Sequence, residues 1–276
     1  MDMRGHGSHH GPSGWIRGLS LSRYDLPLNR NGTPMTLVYI PVITTMALLG
    51  FLLFAGSGKI RKQLKFTGDD DLDERLTYQL LLLACAGVSL GAAYLIAPAS
   101  LVHYFSFGSI DAPAEPLALF GIGEGERWGS IGLSLGLIIS VVTALVMYLD
   151  LRRAGIAPHL PTGAGWVLLL SLSNAFGEEM ICRVGLLVPM TGHLDPASIC
   201  MLSAVIFGLP HYRGRPSGVS GVILAGILGF ILAKSVLETG GFFWAWSIHF
   251  VQDVIIIGAM FMMQARTRQG GSEAGS

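Results

Sequence analysis

Long apolar runs recur along this chain, and no other feature constrains its fold as strongly. A helix that crosses a bilayer needs roughly 20 apolar residues in succession, because about 30 Å of hydrocarbon is covered at about 1.5 Å per residue. Runs near residues 35–56, 76–102, 128–149, 164–188, 195–210, 217–238 and 242–263 meet or approach that length. The expected fold is therefore all-α, a polytopic transmembrane helical bundle of about seven spans. The segment 104–125 is interrupted by Asp111, Pro113, Glu115 and Pro116. It reads as a loop or a re-entrant piece, and counting it as a crossing would make about eight spans.

Composition agrees with a membrane setting. Of the 276 residues 51% are hydrophobic and 13% charged, where a soluble domain carries about 25% charged residues. Eighteen Lys and Arg balance eighteen Asp and Glu, so the basic surface that a nucleic-acid partner requires is missing. Residues 1–34 form a polar, Gly-rich tail without the apolar core of a signal peptide. They are expected to be disordered, His6, His9 and His10 included. Residues 35–159 read as N-terminal transmembrane helices, 160–263 as a helical core that also carries polar residues, and 264–276 as a disordered C-terminal tail. Cys85, Cys182 and Cys200 fall in apolar runs without a CxxC spacing and read as packing residues. "GVSLG" (87–91) and "GLSLG" (132–136) are spacings that let helices approach closely inside one bundle.

Charge inside the apolar core needs a reason. The run "SLSNAFGEEMICRVGLLVPM" (171–190) places Glu178, Glu179 and Arg183 among apolar residues, where each costs several kcal/mol unless paired or wetted. Glu179 and Arg183 are four apart and can pair along one helix face. Glu178 points about 100° away and is left to face something else. The next polar run, "FGLPHY", sets Phe207 four residues before His211, with Pro210 able to bend the helix. A later run, "HFVQD", sets His249 four residues before Asp253. Lys234 and Glu238 lie near a run's end and read as snorkelling to the surface. A glutamate in an apolar pocket is a good proton acceptor near neutral pH, so Glu178 with His211 can activate a water. His249 and Asp253 can stabilise an oxyanion. Glu178, His211, His249 and Asp253 are accordingly expected around one polar cavity.

These motifs, EExxxR in "EEMICR", FxxxH in "FGLPH" and HxxxN/D in "HFVQD", occur here in that order. Over roughly residues 160–263 the chain resembles the CPBP family of intramembrane proteases, which includes the CAAX prenyl endopeptidase and bacteriocin-processing enzymes. The resemblance implies a glutamate-dependent endopeptidase acting on a membrane-associated peptide or protein. By motif position it assigns water activation to Glu178 and His211, oxyanion stabilisation to His249 and Asp253, and supporting roles to Glu179, Arg183 and Phe207. The expected setting is the lipid bilayer of a prokaryotic inner cell membrane. No cofactor is called for. In a metal-dependent variant, Glu178, His211 and His249 would hold zinc, although the HExxH pattern is missing. Two further classes compete. "GVSG" (218–221) matches a rhomboid serine pattern, but His249 is not followed by the expected Gly pair. A non-enzymatic protein, either a peptide-binding immunity protein or a proton-coupled transporter, would use the same cluster without cleavage.

Overall fold

A computed structural model describes residues 36–55, 64–161, 163–214 and 217–273. The tail at 1–34, with its histidines, lies outside the described residues. The described elements are helices, joined by turns and isolated bridges. They are α1 (Thr36–Ala55), α2 (Asp70–Ile96), α3 (Pro98–Tyr104), α4 (Trp128–Arg153), α5 (Ala164–Glu179), α6 (Pro196–Gly208), α7 (Gly218–Thr239) and α8 (Phe243–Glu273). Between α5 and α6 the chain passes through a π-helical turn, Met180–Gly185, and a 3-10 turn, Val188–Met190.

Four helices are long and apolar enough to cross a membrane: α2, α4, α7, and α8 over Phe243–Ala265. The chain is an integral membrane protein, and the larger count of seven or eight spans is not confirmed among the described residues. The shortfall has local causes. In α1 the apolar stretch Tyr39–Ala55 is short. The run 164–188 leaves α-helical geometry after 16 residues, where its charges sit. The run 195–210 yields a 13-residue α6, opened by Pro196 and closed by a 3-10 turn through Pro210, a residue that cannot donate to the helix ladder. The run expected at 76–102 starts earlier, at Asp70, because Asp69 caps that helix through the N–H groups of Asp71 and Leu72. It ends at Ile96, and Pro98 opens a separate helix. At the other end α8 continues to Glu273, so 264–273 is helical where a structureless tail was expected. Extending an existing helix costs far less than nucleating one, and Gln264, Ala265 and Arg266 are good helix formers.

α6 packs on α7, α5 and α4 on α8, and α2 along α5 and the π turn. One apolar core joins both halves of the chain, with Leu82 and Trp128 beside Met180, Val184, Phe207 and Leu232. The approach of α2 depends on two glycines. A Cβ on Gly177 would lie 2.7 Å from Leu82 Cγ, and one on Gly185 would lie 1.9 Å from Ser89 Oγ. The small-residue patterns divide. Gly132 and Gly136 of "GLSLG" seat Trp244 and Ile248, as expected. Gly87 and Gly91 of "GVSLG" face open space, and the buried Ser89 between them makes the contact instead. All three cysteines are free and buried. Segment 104–125 is a loop with a single 3-10 turn, Ala118–Phe120, in agreement with its prolines and acids.

Lys234 and Glu238 do not snorkel. Their side chains are 9% and 8% exposed and ion-paired with each other. Lys234 Nζ donates to the Glu115 carbonyl at 2.9 Å. Glu238 accepts from Trp128 Nε1 at 2.8 Å and from the Glu115 N–H at 3.3 Å. The loop before α4 folds over this end of α7 and buries what would otherwise reach the surface.

Candidate active site

The last turn of α5 and the π turn after it bring three charges into the bundle. Glu179 and Arg183 are both fully buried, and Arg183 Nε lies 3.2 Å from Glu179 Oε2. The guanidinium also lies over the Phe207 ring, 4.1 Å from its centroid, a cation–π contact that strengthens as water is excluded. No Arg183 nitrogen meets hydrogen-bond geometry with a described residue. Charge and ring face therefore hold it, and Phe207 acquires a definite job. π turns widen a helix by one residue and recur at functional sites. This one keeps the four-residue Glu179–Arg183 pair while its backbone is wider than an α-helix.

Glu179 has a second partner that sequence spacing did not disclose. Its Oε1 lies 2.7 Å from His249 Nδ1. An ionised carboxylate only accepts, so the Nδ1–H of His249 donates to it. This turns Nε2 of His249 towards two other carboxylates, Glu178 Oε2 and Asp253 Oδ1, each 3.7 Å away. That distance is too long for a direct hydrogen bond and close enough for ionic contact or a bridging water. Phe207 packs edge-on against the His249 ring at 5.5 Å.

His211 sits on the 3-10 turn after α6. Its Nδ1 is 2.8 Å from the Phe207 carbonyl oxygen, which can only accept. The proton therefore lies on Nδ1, and Nε2 of the neutral ring is an acceptor. His211 lines both cavities next to the cluster. The smaller, about 60 Å³, also touches Glu178, Tyr78, Leu82, Cys182 and Pro210. The larger, about 230 Å³, lies between α4, α7 and α8 and reaches His249, Gln252 and Asp253 past an apolar wall that includes Val142 and Leu224. The single cavity expected from sequence is thus two, meeting at Phe207 and His211. Glu178 lines the smaller, and His249 with Asp253 the larger.

Two amides complete the cluster, and neither belongs to the motifs. Asn174 Nδ2 donates to Glu178 Oε1 and to Asp253 Oδ2, both at 3.0 Å. Gln79, on α2, donates through Nε2 to Asn174 Oδ1 at 3.2 Å. Asn174 carried a faint sequence signal, four residues before Glu178 on one helix face. Gln79 carried only its polarity within an apolar run.

No group of three His, Cys, Asp or Glu side chains among the described residues is placed to hold a metal ion. His211 and His249 each commit Nδ1 to a protein acceptor and keep Nε2 free, but Glu178, His211 and His249 together are not among any such group. The zinc variant does not fit these residues.

Comparison with curated proteins finds no match, and neither does comparison with solved structures. A family model does match, over residues 160–255, and its description is "Type II CAAX prenyl endopeptidase Rce1-like". The matched segment holds all three motifs, the π turn with the buried Arg183 and the 3-10 turn with His211. It leaves out α1 to α4. Residues 160–255 are therefore similar to the Rce1-like family, in agreement with the protease family that the motifs resemble.

Proposed function

We propose that the chain is an intramembrane endopeptidase that hydrolyses a peptide bond of a membrane-associated peptide or protein. Prenylated CAAX-type substrates are the class that the family match suggests. The observation that carries this reading is the approach of Glu178 and Asp253 to His249 Nε2, 3.7 Å each, at the walls of two cavities. Three ionisable side chains held together inside apolar helices are costly, and a hydrolytic site gives that cost a use.

Glu178 takes a proton from a water that also donates to His211 Nε2. The hydroxide attacks the scissile carbonyl carbon, and the carbonyl oxygen becomes an oxyanion. With Nδ1–H held by Glu179, a second proton on Nε2 makes His249 cationic. Glu178, Glu179 and Asp253 supply the counter-charge. The Nε2–H then donates to the oxyanion, a contact worth about 3–4 kcal/mol in other hydrolases. Asp253 is an acceptor here and acts by orienting His249 rather than by donating. When the tetrahedral intermediate collapses, the C–N bond breaks and the amine leaves with the proton that Glu178 took. Glu179, Arg183 and Phe207 hold His249 and the π turn in place.

The test is cleavage of a prenylated CAAX peptide by the purified protein in proteoliposomes, with the unprenylated peptide in parallel. In water enriched in oxygen-18, one labelled oxygen is expected in the new carboxylate. Both peptides remaining intact would remove the reading.

A further inference from the structure

The polar chain that ends on the two site carboxylates begins on α2, a helix outside the segment matched to the protease family. Its direction can be worked out from one end. Carboxylates accept hydrogen bonds, so the Asn174 amide nitrogen must face Glu178 and Asp253, with one hydrogen for each. This turns Asn174 Oδ1 to Gln79 and requires the nitrogen of Gln79 to face it. Gln79 Oε1 must then find a donor, and Ser173 Oγ supplies one at 2.9 Å. Each amide has a single orientation that satisfies both of its ends. A flip of either would set oxygen against oxygen in a site where water cannot easily compensate.

We propose that Gln79 and Asn174 form a positioning relay through which α2 orients the Glu178 and Asp253 carboxylates for the hydrolysis described above. Asn174 lines neither cavity, so it acts through the carboxylates and not by touching substrate. One amide with two hydrogens also fixes the separation of two groups that would repel each other when both are charged. It leaves Glu178 Oε2 and Asp253 Oδ1, the oxygens nearest His249 Nε2, free of the amide. Gln79 is buried and reaches the chemistry only by keeping Asn174 from flipping. The N-terminal helices are then part of the active site and not only its scaffold. This inference rests on the hydrolytic reading, and its test separates the two.

The informative variant is Gln79→Glu, which keeps the side chain's length and still accepts from Ser173. It presents an oxygen to Asn174 Oδ1 and favours the flipped amide, which turns an oxygen towards the carboxylates. Gln79→Glu, Asn174→Ala and the double variant are compared by thermal unfolding and by kcat and KM on the prenylated CAAX peptide. Asn174→Ala is expected to lower kcat about 10–100-fold with KM nearly unchanged, the size found when groups that orient catalytic ligands are removed. Gln79→Glu is expected to lower kcat comparably. In the Asn174→Ala background it should have almost no further effect on kcat, because nothing is left to flip, and its effect on the melting temperature should differ from that in the wild-type background, where the cost of burying the carboxylate is joined by the cost of the flip. Additive losses in unfolding would show that the two amides are not coupled and would overturn the relay, even if the wild-type protein did not cleave the peptide. Coupled unfolding with unchanged kcat in folded Gln79→Glu would overturn the positioning role. A wild-type protein that fails to cleave, with unfolding still coupled, would overturn both the hydrolytic reading and the positioning role.

Discussion

Two buried ion pairs with the same four-residue spacing lie in neighbouring parts of this bundle and have opposite character. Lys234 and Glu238 on α7 are each met by protein partners besides one another. The lysine meets Glu238 and a carbonyl, and the glutamate meets an indole N–H and a backbone N–H. Neither residue lines the two cavities described above. Glu179 and Arg183 form a similar pair, but their neighbourhood does not close. Glu179 spends its other oxygen on His249, and beside it Glu178, 20% exposed, faces a cavity with Oε2 and His249 Nε2 3.7 Å apart. A polar cluster that exists for stability satisfies itself. One that exists for chemistry keeps capacity in reserve at a cavity wall.

The largest expected effects come from breaking either pair on one side. Lys234→Met leaves Glu238 buried without its counter-ion and should cost about 3–5 kcal/mol of stability. The double variant Lys234→Met with Glu238→Leu should recover most of that loss, since an apolar replacement of a buried pair is often neutral. Thermal melts in detergent read both. Arg183→Ala should also cost about 3–5 kcal/mol, seen as a lower yield of folded protein, and it removes the cation over Phe207 as well. A normally folded but inactive Arg183→Ala would move that residue from scaffold to chemistry.

A smaller effect is expected from Trp128→Phe, which deletes the indole donor to Glu238 while keeping most of the ring. Loss of a hydrogen bond to a charged acceptor costs about 1.5–3 kcal/mol, and cleavage by the remaining folded protein should be unchanged. The smallest lies at the surface. Asp195 caps α6, and the Ser198 hydroxyl and backbone N–H hold its carboxyl below the usual range. A depressed folded-state pKa adds stability that is present above the unfolded value and lost as pH falls through the folded one. Asp195→Ala should lower the melting temperature slightly at neutral pH, and the difference from wild type should vanish in strongly acidic buffer.

Much of the candidate site was legible in the sequence, for a reason specific to membranes. A charge in an apolar run costs so much that its presence demands a partner or a use, and the four-residue spacings of Glu179–Arg183, Phe207–His211 and His249–Asp253 survive folding as side-chain contacts. What escaped was nonlocal. Gln79 and Asn174 are neutral amides whose importance lies in each other, across two helices. Lys234 and Glu238 sat near a helix end where surface exposure is usual, and only the folding-back of the loop before α4 buries them. Four of the expected spans reach the length of a crossing among the described residues, and apolar composition alone did not reveal where a π turn or a proline interrupts regular helix.

The contrast between the two clusters is tested most directly by one paired measurement, Glu178→Gln against Glu238→Gln, scored for both melting temperature and peptide cleavage. Glu178→Gln keeps shape and hydrogen-bonding capacity but cannot take up a proton. It should melt near the wild-type temperature while kcat falls by about 10²–10⁴, the usual contribution of a general base. Glu238→Gln should do the reverse, melting lower because Lys234 loses its counter-ion while its folded fraction cleaves at the wild-type rate. Full activity in folded Glu178→Gln protein, or an equal loss of kcat in both variants, would contradict the division of this bundle into a closed ion pair and an open catalytic one.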